Sequence, residues 1–397
     1  MASVRRGALP GVRALGFIPG NTLELLKNGE QYFPALVACL DAATREVFIE
    51  SYIFADDGTG RIICDALARA AARGVAVHLI VDGFGARDFA PRFADVLEKA
   101  GARRLVFRPK ISPLTMRRNR LRRMHRKLAV IDARVAFVGG INIIDDNAPG
   151  GPTPPRFDYA VRVEGPLVHD VWFEAAKLWS RLDWLHTRRR WRVSRPPESE
   201  PDRHGTQSAL LVVRDNFRHR RDIEAAYLEL IAGARGEVLI AVAYFLPGRR
   251  FRRALMDAAR RGVRVVLVVQ GLTDHPIMHY ASRALFGAFL EAGIEIHEYT
   301  RSELHAKVAV FDGLVASVGS SNIDPFSLLL SREANVFVND GRFASSLRAS
   351  LYEAIEISRQ VPARAWKELG WSVRVRIWAA YGISRVLISL SGIEGWH

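Results

Sequence analysis

The sequence predicts an α/β fold: two duplicated α/β sandwich domains with mixed, largely parallel sheets and an active site at their interface. Three observations carry this. The 397 residues are enough for about two domains. Continuous Val/Ile/Leu runs alternate with Ala-rich helical stretches, the pattern of sheets covered on both faces. The second half then repeats the first at a period of about 180 residues.

Taken in order, the N-terminal Met1-Ala2-Ser3-Val4-Arg5-Arg6 leads into an apolar stretch broken by Pro10, Gly11, Arg13 and Pro19, a poor signal peptide. A strand is expected over Val47 to Phe54, a helix over Ala66 to Arg73 and a strand over Val75 to Gly83. The second half returns the same order: Val238 to Leu246, Ala254 to Arg261, Val263 to Gly271. Residues Arg192 to Gln207, rich in Pro, Ser, Glu and Arg, read as a linker. The expected organisation is a first domain over 1–191, the linker over 192–207, a second domain over 208–370 and a tail over 371–397. Two cysteines, Cys39 and Cys64, are read as too few for a disulfide scaffold or a four-ligand zinc site.

The halves align most closely at a motif. Met124-His125-Arg126-Lys127-Leu128-Ala129-Val130-Ile131-Asp132 is matched by Leu304-His305-Ala306-Lys307-Val308-Ala309-Val310-Phe311-Asp312. Both read H-x-K-x-x-x-x-D. A given His has Lys at +2 and Asp at +7 by chance with probability of about 0.001, so two matched copies are a specific signal. Side chains two apart on a strand share a face, so His125 points with Lys127 and His305 with Lys307. Asp132 and Asp312 fall on the other parity and read as the motif's supporting members. Two imidazoles supply a nucleophile and a general acid, and two ammonium groups suit a phosphate. Gly139-Gly140 and Gly319-Ser320-Ser321 allow close backbone approach, and Asn142 and Asn322 can donate amide hydrogen bonds. A metal centre is disfavoured, because each ammonium would repel a cation and no carboxylate cluster accompanies the histidines. No cofactor is expected.

The charge sum is 57 basic minus 42 acidic residues, or +15, and only 7 of the basic residues are lysines. Such a balance suits anionic partners: nucleic acid, a membrane surface or phosphorylated substrates. An arginine-favouring genome accounts for part of it equally well. The rare lysines at +2 in both halves narrow the anion to one phosphodiester site.

On these residues the chain resembles the phospholipase D superfamily, whose hallmark is the duplicated motif, from about Phe48 to Val338. Within it the chain is similar to bacterial cardiolipin synthases of the shorter type, which lack N-terminal membrane helices. Val135 to Ile143, Asp158 to Pro166, Val318 to Pro325 and Glu333 to Val336 carry the closer match. The resemblance implies phospholipase D-like domains, a covalent phosphatidyl intermediate on one histidine and protonation of the leaving alcohol by the other. By family habit His125 is the nucleophile and His305 the acid. It also implies that Asp158 and Glu333 orient the catalytic histidines. Ser331-Arg332 departs from the family, which often has Asn and an apolar residue before this Glu, and Ala306 stands where the first motif has Arg126.

Arg103 to Lys127 holds 11 Lys and Arg residues and no acidic one, including Arg117, Arg118, Arg120, Arg122 and Arg123. It fits a solvated basic face or an anion funnel beside His125. Trp371 to Leu390 is apolar with Arg374, Arg376 and Arg385, and fits an interfacial helix or one packed on the core. The implied substrate is an anionic phospholipid, phosphatidylglycerol, met at the cytoplasmic face of a bacterial membrane by a peripheral protein. Hydrolysis with water as acceptor, or nuclease action, is the rival reading, and specific nucleic-acid recognition is not expected.

Overall fold

The computed structural model describes residues 15–87, 89, 91–109, 122–147, 155–187, 205–215, 218–272, 276–324, 327–328 and 330–390. The first half runs β1 (Ile18–Lys27), α1 (Asn28–Ala42), β2 (Glu46–Ser51), α2 (Gly58–Ala72), β3 (Ala76–Asp82), α3 (Pro91–Lys99) and β4 (Arg103–Phe107). It continues with β5 (Lys127–Ile131), β6 (Val135–Gly139), β7 (Tyr159–Glu164) and α4 (Leu167–Thr187). The second half repeats this as β8 (Gln207–Arg214), α5 (Asp222–Gly233), β9 (Glu237–Val242), α6 (Arg249–Arg260), β10 (Arg264–Gln270), α7 (Pro276–Arg283), α8 (Phe286–Glu291) and β11 (Glu295–Tyr299). Then come β12 (Lys307–Phe311), β13 (Val315–Gly319), β14 (Glu333–Asn339) and α9 (Gly341–Glu356). β15 (Arg359–Gln360), α10 (Ala363–Lys367) and α11 (Trp371–Leu390) close the described chain.

All 15 strands among the described residues join one sheet in the order β15-β11-β10-β9-β12-β13-β14-β8-β1-β7-β6-β5-β2-β3-β4. The halves run in opposite order away from the β8–β1 junction, as a twofold-related pair must. That junction is antiparallel, with Ile18 opposite Ala209 and Asn21 opposite Gln207. The halves therefore meet edge to edge in one sheet rather than as two separate sheets. Gln207, expected in the linker, opens β8, and its side chain accepts from the Leu23 N–H at 2.5 Å. Residues 188–204 lie outside the described ones.

The sheet is mixed, as expected, but not largely parallel. Among the described strands only β9–β10, β10–β11, β2–β3 and β3–β4 pair in parallel. A parallel pair needs a crossover, and helices provide one only within the opening strands of each half. The motif strands follow as meanders, and the tight β5–β6 and β12–β13 turns leave no room for a crossover.

Helices cover both faces. On one, α4 and α9 lie over a core shared by the halves, where Leu128, Val130 and Val163 meet Val308, Val310 and Val336 around Trp172 and Leu347. On the other, α1–α3 and α5–α8 each cover their own half. The shared core holds the two motif strands in a fixed relation.

Candidate active site

The motif's spacing is that of one strand and one turn. Lys127–Ile131 and Lys307–Phe311 are the strands, and their residues are buried throughout. Asp132 and Ala133 then adopt φ of 54° and 53°, and Asp312 and Gly313 adopt 52° and 63°. Two successive left-handed residues make the tight turn that suits a hairpin, and Asp and Gly tolerate that backbone best.

The same turn carries the Asp132 and Asp312 carboxylates away from the histidines. The Asp132 carboxylate accepts from the N–H groups of Thr44, Arg45 and Glu46 at 2.8, 2.8 and 3.0 Å and from the Thr44 hydroxyl at 2.9 Å. Burial pushes its pKa up, but these backbone donors outweigh that and hold it below the usual carboxylate range. Asp312 accepts from the N–H groups of Arg235, Gly236 and Glu237 at 2.9, 2.8 and 2.8 Å. Counted with the catalytic motif from sequence, both sit at the far end of the strand and fasten the start of β2 and β9.

At the near end the halves exchange partners. Met124 bridges Arg332, and Phe157 bridges Leu304. The His125 N–H donates to the Arg332 carbonyl at 3.0 Å, and the His305 N–H to the Phe157 carbonyl at 2.9 Å. Each histidine thereby meets the carboxylate that follows in the opposite half. His125 Nδ1 lies 3.1 Å from Glu333 Oε1 and 3.2 Å from both Glu333 Oε2 and the Ser320 carbonyl. His305 Nδ1 lies 2.6 Å from Asp158 Oδ2. Anchored at Nδ1, each ring presents Nε2 to a reacting group. The side chains of His125 and His305 remain 15% and 14% exposed, so a ligand can reach them.

The lysines lie beneath. Lys127 Nζ donates to the His125 carbonyl at 2.9 Å, and Lys307 Nζ donates to the His305 carbonyl. Lys307 Nζ also sits 2.9 Å from His305 Nδ1 and 4.0 Å from Asp158. Burial, and then the charge of Lys307, brings Lys127 down to about 7. Burial brings Lys307 down to about 8, against the pull of Asp158 and Glu333. Burial likewise lowers both histidines and raises Asp158 to about 7. Two buried lysines, one within the field of the other, would be relieved by an anion.

The remaining expected residues take distinct places. Ser320 Oγ donates to Glu333 Oε2 at 2.6 Å. In the first half Gly140 takes that position, where a Cβ would fall 2.3 Å from Asp158 Oδ1, so glycine admits the carboxylate. Asn142 is buried and its Oδ1 accepts from the Ile53 N–H at 3.2 Å, leaving its donors for another partner. Asn322 is buried, and its Oδ1 has no hydrogen-bond partner among the described residues. Arg123 is engaged in an ion pair with Asp82 at 2.5 Å, and Arg122 lines a cavity beside α4. Arg117, Arg118 and Arg120 lie outside the described residues. Among the described residues no group of three or more His, Cys, Asp or Glu side chains is placed to hold a metal.

Sequence reasoning missed three groups. Tyr52 packs edge-on to His125 at 4.8 Å between ring centroids, with Lys127 Nζ 5.2 Å from its centre. Asp82 accepts from the Met124 N–H at 2.9 Å and so fixes the approach to His125. Both end parallel strands, where open α/β sheets place their sites, and that rule would have found them. Arg126, fully buried, pairs with Glu50 through two hydrogen bonds of 2.7 and 2.8 Å. No sequence pattern announced it, since the second half has Ala306 and Ala241 there.

A family model described as "Cardiolipin synthase, PLD-like domain" matches residues 36–151 and 227–354. Cardiolipin synthase B of Escherichia coli strain K12 is 42% identical over 361 residues, 89% of this chain and 86% of that protein. The major cardiolipin synthase ClsA of Bacillus subtilis strain 168 is 29% identical over 91% of this chain and 74% of its own length. The crystal structure of phosphatidylserine synthase from Haemophilus influenzae Rd KW20 superposes with a TM-score of 0.69 at 11% identity, covering 95% of this chain and 97% of that one. At that identity the likeness is one of fold.

Proposed function

The chain belongs to the phospholipase D-like cardiolipin synthase family, an enzyme family, and on that premise we propose that it is a phosphatidyltransferase joining two phosphatidylglycerol molecules into cardiolipin and glycerol. His125 Nε2 attacks the phosphorus of the first lipid. The bond to the glycerol oxygen breaks, and His305 supplies that oxygen's proton. The primary hydroxyl of a second phosphatidylglycerol then returns its proton to His305 and takes the phosphatidyl group from His125. Lys127 and Lys307 hold the phosphate oxygens, and the amide donors of Asn142 and Asn322 add to them. Glu333 and Asp158 keep the two rings oriented. The observation that carries this reading is the exchange of carboxylates between halves, which anchors Nδ1 of each histidine on a residue of the opposite half, beside two buried lysines.

The substrate is met at a membrane surface. Helix α11 buries the narrow stripe Ile377, Ala380 and Ser384 against the protein. Its opposite face carries Trp371, Val375, Trp378 and Val386, between 56% and 80% exposed. Arg374, Arg376 and Arg385 flank that face, the arrangement of a helix lying in an anionic interface. No helix among the described residues is long and apolar enough to cross a membrane. Peripheral attachment at the cytoplasmic face of a bacterial membrane follows as part of the same reading, and a nucleic-acid substrate is not part of it.

The test incubates the purified chain with phosphatidylglycerol in mixed micelles. Cardiolipin and glycerol are expected in equal amounts, with none from His125→Ala or His305→Ala. In the wild type quenched during turnover without acid, a phosphatidyl group on His125 is expected by mass spectrometry, and none in His125→Ala. Phosphatidic acid as the main product would assign a hydrolase instead. DNA degradation without lipid turnover would overturn the lipid assignment.

A further inference from the structure

Arg332 departs from the family pattern, and the transfer reaction gives it no role. It and Glu333 are consecutive near the start of β14 and point to opposite faces of the sheet. Glu333 faces His125. Arg332 shares its parity with Ala334, Val336 and Val338, which face the α4 side. There it lines a cavity of about 260 Å³ under α4.

This cavity is divided chemically. Arg108, Arg122, Arg181 and Arg332 line it, together with Phe107, Leu178, Leu182 and Leu185. No acidic side chain is among its described lining residues. Arg332 is only 6% exposed, and its Nε has no hydrogen-bond partner among the described residues. Burial, then Arg122, Arg123 and Arg181, push the Arg108 guanidinium below its ordinary value. Burial, then Arg126, brings Arg332 down to about 10, against the pull of Glu50, Asp215 and Glu174. Guanidinium groups gathered at a partly apolar cavity suit an anion with a hydrocarbon part. The volume lies just under the roughly 300–1,000 Å³ of ordinary ligand pockets, so it suits a headgroup and the first part of a chain.

We propose that this cavity binds a phosphate-bearing amphiphile, at a site separate from the two-histidine centre and on the other face of the Arg332–Glu333 strand. The arginines take the phosphate oxygens and the α4 leucines take the chain. Because the Arg332 backbone pairs with both Arg123 and His125, the ligand is held one residue from the partner of His125.

Calorimetry of the full chain with dihexanoyl phosphatidic acid below its micelle concentration, beside inorganic phosphate, tests this. The short-chain lipid is expected to bind at least tenfold more tightly than phosphate, and to keep doing so in His125→Ala. Arg332→Gln is expected to weaken lipid binding by about tenfold to hundredfold, the effect of one charged hydrogen bond. Arg181→Gln and Leu185→Ser alter exposed positions of α4, so they test the site even if the buried variant fails to fold. Each is expected to weaken lipid binding several-fold, and Leu185→Ser to leave phosphate binding unchanged. Equal affinity for phosphate and lipid would overturn the amphiphile assignment. Lipid binding unaffected by both α4 variants would place the ligand elsewhere and overturn the site.

Discussion

Asp132→Asn is predicted to damage stability rather than chemistry. The aspartate sits in a left-handed turn and accepts four hydrogen bonds, three from consecutive backbone N–H groups at the start of β2. An asparagine keeps one acceptor oxygen and turns its amide donors toward some of those N–H groups. About two of the four bonds are lost. At roughly 1–2 kcal/mol for each bond from a charged acceptor to a half-buried donor, the expected loss is about 2–4 kcal/mol. Since the carboxylate is held below its ordinary range, its contribution is present above the unfolded pKa and disappears as pH falls through the folded one. Differential scanning fluorimetry between pH 3 and pH 8 would therefore show a lower midpoint for Asp132→Asn at neutral pH, converging on wild type in acid. Initial rates per folded molecule should change less than threefold. A hundredfold fall in kcat with an unchanged melting midpoint would refute the assignment and return the residue to the chemistry. Asp312→Asn should also lower the melting midpoint at neutral pH, by less, since its carboxylate accepts three bonds at more exposed positions before β9.

Asp158→Asn is predicted to lower kcat by about tenfold to hundredfold, the usual loss when the partner of a functional histidine goes. Removing the carboxylate lowers His305 and Lys307 further, so the rate optimum should move to lower pH, and an alkaline shift in a pH–rate profile would count against this. Arg126→Ala alone should destabilise by roughly 3–5 kcal/mol, because Glu50 is left buried and unpaired, whereas Arg126→Ala with Glu50→Ala copies the second half and should recover part of that in a urea melt. Trp371→Ser with Trp378→Ser should weaken sedimentation with phosphatidylglycerol vesicles by about tenfold or more while sparing turnover of short-chain soluble lipid, and equal loss of both would point to misfolding.

Much of the site was legible because the duplication made single residues count twice. A lone His125 says little, but His125 and His305 with lysines at +2 specify two aligned strands and one anion. Parity then separated Asp132 and Asp312 from the histidines, even though the motif groups them. What the sequence did not reveal were relations across the sheet. That His125 meets Glu333, 208 residues away, depends on the bridging of Met124 to Arg332, which no local pattern encodes. The joining of both halves through β1 and β8 was equally hidden, since strand order is a property of pairing and not of composition. The parallel content was overestimated because the helical crossovers of β2–β4 and β9–β11 are conspicuous in sequence, while the meanders after them read only as more apolar runs.

The two halves are alike enough to share a phosphate, and their differences bear on which histidine does what. His125 Nδ1 faces only acceptors, the Glu333 carboxylate and the Ser320 carbonyl, so it must carry the proton. That leaves the Nε2 lone pair available in the free enzyme for attack on phosphorus, the requirement for a nucleophile. His305 Nδ1 faces an acceptor and a donor together, Asp158 Oδ2 at 2.6 Å and Lys307 Nζ at 2.9 Å. Asp158, raised to about 7, can itself hold a proton near neutral pH. A ring in that setting can change its protonation without losing its hydrogen bonds, which is what a group that first gives and then takes a proton needs. Ser320 against Gly140, and Glu333 against Asp158, are the asymmetries that support the proposed division of labour between the histidines.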